Sequence, residues 1–508
     1  MTSNRSSPLH PILTCSAAKA FEDAFFGDDL ARAESAMRRA GMTVGRAILA
    51  DLPKSFFEHP FPTHLIVLCG KGNNTGDALY AAYAIALEQN VEVTLLLCAD
   101  RDAWSPSIQR AADTLASEAP CTFMSASDFA QPTRHTEAIE IVIDGIVGMQ
   151  FRPPLREPVR SLIHKVNQLD GIHARIAIDM PSGINANDAD ATFRADFTYA
   201  TGILKTELIE SAPEITGRIR YVDIGFFDDA PADSIHRVYS HPAKPAPLRP
   251  AACDKRTFGH LLLIAGSRSM PGALLMAAKA AIRSGVGLLT IGAPESICAQ
   301  LQGIIPEAMW LPWPENDSGG LSLEGTTLIE AHKSRYNAMA LGPGMGSAPE
   351  TKILISTLIL GWDKPLLLDA DALFPGAVEA VQQSIEKRSA TVLTPHAGEL
   401  ARIAHNRTPT RLAEDIHGFV IEKGPRSWVH DAGTSVLVPH GGPVLARGGS
   451  GDILAGLVAG FIAATANKIG IETVCAAAAH HGLAADRLCH HSGEQFVQTT
   501  DILVHLES

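Results

Sequence analysis

The sequence has no apolar run approaching the roughly 20 residues needed to span a bilayer. Its first stretch, Met1 to Pro11, is polar and lacks the apolar core of a signal peptide. A cytoplasmic protein with no membrane partner is therefore expected. There is also no Cys-x-x-Cys pair. The eight cysteines are scattered and read as reduced packing residues, not as a metal or disulfide framework. Positive charge is scarce, since 42 Lys and Arg face 55 Asp and Glu for a formal balance of -13. Such a balance argues against a nucleic-acid partner and suits small ligands; anionic ones would need local positive groups or helix N-termini. No short repeat is visible, and neither half is a copy of the other.

What is present is ample apolar material, 46% of residues against 19% charged, in a chain of 508. That length exceeds one ordinary core and implies two domains, or three. Segment 240–252 holds Pro242, Pro245, Pro247 and Pro250. Prolines at that density block helix and ladder alike, so an extended linker is expected between domains 1–239 and 253–508. On both sides short β-branched runs alternate with alanine-rich helical stretches, the pattern of parallel sheets covered by helices in an α/β fold. Expected strands are 64–68, 91–97, 139–143 and 175–178 before the linker. After it they are 261–265, 287–291, 338–341, 365–368, 390–393, 419–422 and 434–438. Phe21 to Leu52 reads as helical, with Met37, Ala40 and Val44 on one face.

In the first half, Ile66-Val67-Leu68-Cys69 leads into Gly70-Lys71-Gly72-Asn73-Asn74-Thr75-Gly76-Asp77 and a helical Ala78 to Glu88. Strand, glycine-rich turn and helix present N–H groups at a helix N-terminus, where phosphate binds. The Gly-x-Gly-x-x-x-Gly spacing misses the dinucleotide fingerprint by one residue, and a plain tight turn explains the glycines equally well. Two further apolar runs end in aspartates, Asp144 and Asp179, the latter followed by Met180-Pro181-Ser182-Gly183. Residues past the carboxyl ends of parallel strands line the ligand crevice. One such aspartate is often a helix cap; two beside an Asn-Asn-x-x-Asp loop point to a shared oxygen-rich pocket.

These motifs, with Gly148, Ala195-Asp196-Phe197-Thr198, Lys205 and Val222-Asp223-Ile224-Gly225, resemble the NAD(P)H-hydrate epimerases over about residues 20 to 228. The resemblance implies a Rossmann-like three-layer αβα domain that interconverts the C6 epimers of hydrated NADH or NADPH. By motif position, Asn73, Asn74, Thr75, Gly76, Asp77 and Gly148 would hold substrate, and Arg152 its phosphate. Asn74, Asp144 and Ser182 would coordinate K+, a hard, weakly charged cation suited to amide, carboxylate and hydroxyl oxygens. Asp179 would contact the hydrated ring as acid/base. Thr75 and Ala78 stand where glycines are usual.

In the second half, Phe258 to Ser267 is a glycine-ended strand and Pro271-Gly272-Ala273 opens a helix. Polar groups follow further strands at Gly342-Pro343-Gly344, Asp369-Ala370-Asp371 and Thr394-Pro395-His396-Ala397-Gly398-Glu399. The sharpest element is Arg447-Gly448-Gly449-Ser450-Gly451-Asp452. Its small residues let successive N–H groups form an anion nest at a helix start, with the aspartate placed to take a proton from a hydroxyl near a terminal phosphate. With Gly285-x-Gly287, Pro306-Glu307-Ala308-Met309, Lys423-Gly424 and His481-Gly482, this half resembles the ADP-dependent NAD(P)H-hydrate dehydratases over about residues 250 to 505.

That resemblance implies a ribokinase-like αβα domain that spends ADP or ATP, with Mg2+, to phosphorylate the misplaced hydroxyl so that it leaves as phosphate. Ala273, Gly344, His396 and Asp452 would lie on the hydrated cofactor, Asp452 as the base. Lys423, Gly424, Pro425, Arg426 and Ser427, with Gly448, Gly449, Ser450 and Gly451, would hold the adenine nucleotide. A homo-oligomer is expected. Between Glu399 and Lys423 the chain is short for the family pattern. By itself this half also fits a pyrimidine or thiazole kinase, or a sensor that only binds nucleotide. His480-His481 and His490-His491 have no converging carboxylates and read as packing or surface residues, and Trp310 and Trp313 as core or interface residues.

Overall fold

Two sheets with helices on their faces make up a computed structural model of the chain, which describes residues 7–58, 62–129, 140–184, 191–228, 234–240, 249–465 and 469–506. The chain divides into two units, Met1–Ser234 with Cys489–Gly493 and Ile235–Leu488 with Glu494–Ser508. Most of the expected proline-rich linker, 241–248, lies outside the described residues.

The first unit contains strands β1 (Leu9–Leu13), β2 (Thr63–Cys69), β3 (Val91–Leu97), β4 (Cys121–Ser125), β5 (Glu140–Gly145), β6 (Ile172–Ile178), β7 (Phe197–Thr201), β8 (Leu204–Lys205) and β9 (Arg218–Val222). Its helices are α1 (Cys15–Phe26), α2 (Leu30–Asp51), α3 (Asn73–Ala86), α4 (Pro106–Glu118), α5 (Val159–Gln168), α6 (Thr206–Glu210) and α7 (Pro213–Thr216). The main sheet runs β4-β3-β2-β5-β6-β7-β9, all parallel. Successive side chains of β2 enter different cores. Leu65, Val67 and Cys69 pack with α2, α3 and α4, while Ile66 and Leu68 pack with Leu162, Ile163 and Val166 of α5. Because both faces are covered, the strand reads as a continuous apolar run.

The helical stretch expected over 21–52 is two helices. Gly27 leaves α1 with φ 54°, and the Asp29 side chain caps α2 by accepting from the Arg32 N–H at 2.9 Å. A glycine exit followed by an aspartate cap stops and restarts a helix within three residues. The chain lays down β2, β3 and β4 on one side, then returns to β5 on the other side of β2. That reversal opens a crevice at the carboxyl ends of β2 and β5.

The second unit contains β10 (His236–Tyr239), β11 (His260–Ile264), β12 (Leu288–Pro294), β13 (Met309–Trp313), β14 (Ala338–Leu341), β15 (Leu366–Leu368), β16 (Thr391–Leu393), β17 (Gly418–Glu422), β18 (Ser427–His430) and β19 (Ser435–Val438). Its helices are α8 (Pro271–Arg283), α9 (Glu295–Leu301), α10 (Thr327–Glu330), α11 (Pro349–Gly361), α12 (Pro375–Gln383), α13 (Ala397–Ala404), α14 (Pro409–Asp415), α15 (Ser450–Thr465) and α16 (Ile471–Ser492). Strand order is β13-β12-β11-β14-β15-β16-β17-β18-β19-β10. Pairing is parallel except at β17–β18 and β18–β19. The pairing of β10 with β19, His236 opposite Ser435, is why the second unit begins before the prolines. Leu262, Ile264, Met339, Leu341, Leu366 and Leu368 share one core with α11 to α14. Helix α15 lies against α8, where Gly456 meets the Ala277 backbone and Gly460 the Ser284 side chain. The short Glu399 to Lys423 stretch holds two compact helices, α13 and α14.

Candidate active sites

In the first unit, the Gly70–Asp77 loop and the ends of β5 and β6 converge at the crevice. The loop is tied down from within: Thr75 Oγ1 accepts from the Gly70 N–H at 2.9 Å and donates to the Gly145 carbonyl at 2.8 Å. Thr75 is fully buried, so its side chain is engaged in loop structure, and Gly76 is packed against Met37. Asn73 is exposed at the start of α3, whose N-cap, Gly72, offers no side chain to the first amides.

Asp144 is wholly buried. Its Oδ1 accepts from the Ser182 hydroxyl at 2.7 Å and the Ile146 N–H at 3.1 Å, and its Oδ2 from the Ser182 N–H at 2.7 Å. Burial pushes its carboxyl up to about 6, against the lowering effect of those bonds. It has no cationic side chain as partner among the described residues. Asn74 is buried nearby, and its Nδ2 has no hydrogen-bond partner. A buried carboxylate without a counter-ion, a hydroxyl and an amide form an all-oxygen donor set that fits a hard monovalent cation.

Gly148 brings the parts together. A methyl group added there would lie 3.5 Å from Asn74 Cγ and 3.5 Å from Asp179 Oδ2. Asp179 follows β6 with a left-handed φ of 65° and is buried. Such a conformation in a non-glycine residue costs on the order of 1–3 kcal/mol and persists only where the surroundings enforce it. The surroundings here are Lys205, whose ammonium donates to Asp179 Oδ1, and Thr201, whose hydroxyl donates to the same oxygen at 3.3 Å. Asp77 is half-buried at the start of the second turn of α3. Arg152 is exposed, with no hydrogen bond or ion pair among the described residues.

In the second unit, β11, β14, β15, β16 and β17 are adjacent and parallel, so their carboxyl ends share one edge. Gly344, Asp369, His396 and Lys423 lie there. Ala273 of α8 is beside Gly344, since a methyl group on Gly344 would be 3.0 Å from Ala273 Cβ. His396 is exposed and N-caps α13, its Nδ1 accepting from the Gly398 N–H at 3.0 Å, while Glu399 accepts from the His396 N–H at 2.8 Å. Gly424 and Pro425 are exposed in the β17–β18 turn, Arg426 is half-buried there, and Ser427 opens β18.

The Gly448–Asp452 turn is held by bonds to its flanks. Arg447 donates to the carbonyls of Val497, Glu494 and Gln495 at 2.9, 2.8 and 3.0 Å. The Ser450 hydroxyl donates to the Leu445 carbonyl at 2.6 Å, and Thr499 to the Gly448 carbonyl at 2.9 Å. Gly449 is left-handed at φ 95° and leads into α15. The Lys423 ammonium faces this turn: a methyl group on Gly451 would lie 3.3 Å from Lys423 Nζ. The same Nζ donates to Asp369 Oδ1 at 2.9 Å and lies 3.9 Å from Glu399. Burial, then the nearby charge of Asp369, pushes the Asp452 carboxyl up to about 6; Lys423 opposes and Asp371 adds.

Three residues to which the motif reading gave no site role belong to these clusters. Lys205 entered only as part of a pattern, yet it holds Asp179. Asp369 is almost fully buried, with Oδ1 bonded to Lys423 and to the Thr394 hydroxyl at 2.7 Å, and Oδ2 without a partner. His481 of α16 is buried with no partner for Nε2, and burial, then the Lys423 charge, pushes it down to about 4, so it stays neutral. An aspartate after a strand was a visible signal for Asp369; for His481 the His481-Gly482 pair was the signal, and it was set aside as packing. Among the described residues no group of three or more His, Cys, Asp or Glu side chains is placed to hold a metal ion.

One turn can be tested by stability. Gly342, at φ 129°, approaches the Asp369 backbone so closely that a Cβ would overlap the Asp369 carbonyl. Gly342→Ala is expected to lower unfolding stability by about 3 kcal/mol. Denaturant unfolding measures this, and a change under about 0.5 kcal/mol would mean the turn relaxes freely.

A three-layer Rossmann-like unit with its crevice at a topological switch point, and a ribokinase-like unit with a glycine turn feeding a helix, define a two-unit α/β enzyme. A family model described as NAD(P)H-hydrate dehydratase matches residues 261–507, and one described as YjeF-related protein N-terminus matches residues 33–207. The bifunctional NAD(P)H-hydrate repair enzyme of Gloeobacter violaceus is 31% identical over 460 residues, covering 85% of this chain and 85% of that one. That of Coxiella burnetii is 29% identical over 490 residues, covering 92% and 93%. A crystal structure of the ADP/ATP-dependent NAD(P)H-hydrate dehydratase from Bacillus subtilis with ATP and Mg2+ is 29% identical, covering 51% of this chain and 93% of that one, with a TM-score of 0.41. The chain belongs to the family of bifunctional NAD(P)H-hydrate repair enzymes.

No helix among the described residues is long and apolar enough to cross a membrane.

Proposed function

We propose that the chain repairs hydrated NADH and NADPH, residues 1–239 interconverting the C6 epimers and residues 253–508 dehydrating them at the expense of ADP or ATP with Mg2+. The observation that carries this reading is the Gly448–Asp452 turn with the Lys423 amine against it, in one chain with the Asn74, Asp144, Asp179 and Ser182 cluster. Ala273, Gly344 and His396 contact the hydrated nicotinamide, and the Lys423–Ser427 stretch holds the nucleotide. Asp452 takes the proton of the C6 hydroxyl as its oxygen attacks the terminal phosphoryl group, and the Gly449–Gly451 amides hold the transferred charge. The phosphate ester is the better leaving group. The C6–O bond breaks, a C5 proton is lost, and the C5–C6 double bond of the reduced nicotinamide returns.

In the first unit, Asn73 to Asp77 and Gly148 line the substrate, Arg152 takes its phosphate, and Asp179 serves as acid/base. Asn74, Asp144 and Ser182 hold K+, which supplies a fixed positive charge beside the substrate. K+ is expected to raise the melting temperature relative to choline above pH 6 and to do little below pH 5. The sign follows from Asp144, whose carboxyl is protonated below about 6 and then binds a cation poorly.

The test of the whole reading is a mixture of hydrate epimers with purified protein and ADP or ATP, followed by near-ultraviolet absorbance. Nucleotide-dependent recovery of both epimers is expected. Recovery of neither, with phosphorylation of a pyrimidine or thiazole alcohol instead, would overturn it.

A further inference from the structure

The first-unit crevice holds more proton-transfer chemistry than one aspartate. The two oxygens of Asp179 are differently engaged: Oδ1 accepts from Lys205 and Thr201, and Oδ2 faces the Gly148 and Asn74 side. Lys205, at the end of β8, is 1% exposed, and Asp179 is its one ion-pair partner among the described residues. A buried ammonium bonded to one oxygen fixes the rotation of the carboxylate and leaves the second oxygen for chemistry.

Asp77 lies three residues beyond Asn74 on α3, so the two share a helix face. Its carboxyl has no hydrogen bond or ion pair among the described residues. Burial first, then the charges of Asp179 and Glu22, push it well above the usual carboxylate range, with Lys205 opposing. One carboxyl paired with an ammonium and a second kept protonated is the arrangement that divides acid from base. Two other titratable groups face Asp179, both from α1. Glu22 is pushed up to about 7 and Cys15 to about 12, each chiefly by burial, so the thiol stays protonated.

We propose that Asp77 is the general acid that works opposite Asp179 in epimerisation, and that Lys205 is the positioning residue that reserves Asp179 Oδ2 for the substrate hydroxyl. The inference rests on the epimerase reading of this crevice. Asp179 removes the hydroxyl proton as the C6–N1 bond breaks, C6 becomes a carbonyl carbon, and the freed electron pair on N1 takes the proton of Asp77. After rotation about C5–C6, N1 attacks the other carbonyl face. Its proton returns to Asp77, and the oxygen recovers the one held by Asp179.

The experiment uses the full chain without nucleotide, starting from one purified epimer and following the other by chromatography across pH. Wild type is expected to give a bell-shaped profile. Asp77→Asn is expected to lower kcat about 10²-fold with little change in KM and to lose the alkaline limb. Lys205→Met is expected to move the acidic limb to higher pH, with Lys205→Arg restoring part of the shift. Glu22→Gln is expected to keep both limbs. An Asp77→Asn enzyme with the wild-type rate and profile overturns the inference, as does loss of the alkaline limb in Glu22→Gln instead. Wild type that interconverts no epimers overturns the epimerase reading itself.

Discussion

Asp452→Asn is expected to lower nucleotide-dependent recovery of reduced cofactor by about 10³-fold, the middle of the range for loss of a positioned general base. The substitution keeps the shape at the head of α15, leaves Ser450 and Arg447 in their bonds and removes only the capacity to take a proton. Wild-type activity should rise with pH through about 6 as Asp452 ionises, and the Asn enzyme should lack that rise. Stability should move the other way. A carboxyl raised in the folded state favours folding in its protonated form, and that contribution disappears as pH climbs from about 4 to about 6. At pH 8 the Asn variant should therefore unfold no more readily than wild type. Single-turnover assays over pH 5 to 9 with parallel melting curves would measure both, and retention of full activity would remove Asp452 from the role of base.

Lys423→Met is expected to lower the same rate about 10²-fold and also to weaken the fold. The amine faces the turn at Gly451, where it can neutralise charge on a transferring phosphoryl group, and it is the ammonium held by Asp369. Its removal leaves a nearly fully buried carboxylate without a counter-charge, a loss of about 3 kcal/mol for a broken buried pair. Adding Asp369→Asn should recover most of the stability and none of the rate. Rates and unfolding free energies for the two single variants and the double variant separate the two contributions. Equal recovery of both would make the pair purely structural.

Strands buried on both faces were the easiest to read. Residues 338–341 match β14, which is buried throughout, because a covered parallel strand is one apolar run, whereas 91–97 match β3 although Glu92 is exposed. Strands β7 and β9 escaped notice because they carry threonine, tyrosine and arginine. Their polar groups are satisfied from afar: the Arg218 guanidinium lies 4.7 Å over the Phe197 ring, and Arg220 pairs with Asp51 at 3.0 Å. Histidine 481 read as packing because its helix is alanine-rich, and its buried ring beside Lys423 depends on how α16 lies against β17 and α15.

The sequence by itself determined where chemistry could sit. Small residues and aspartates directly after apolar runs specify turns at strand ends, and parallel strands bring those ends to one edge, a consequence of local backbone geometry and pattern. Only the tertiary structure decided what each carboxyl does there. Asp179 meets Lys205 across 26 residues and Asp369 meets Lys423 across 54, while buried Asp144 and half-buried Asp77 and Asp452 have no ammonium bonded to them among the described residues. Charge and desolvation act through space, so the upward push on the Asp77, Asp144 and Asp452 carboxyls is made by packing, not by order along the chain.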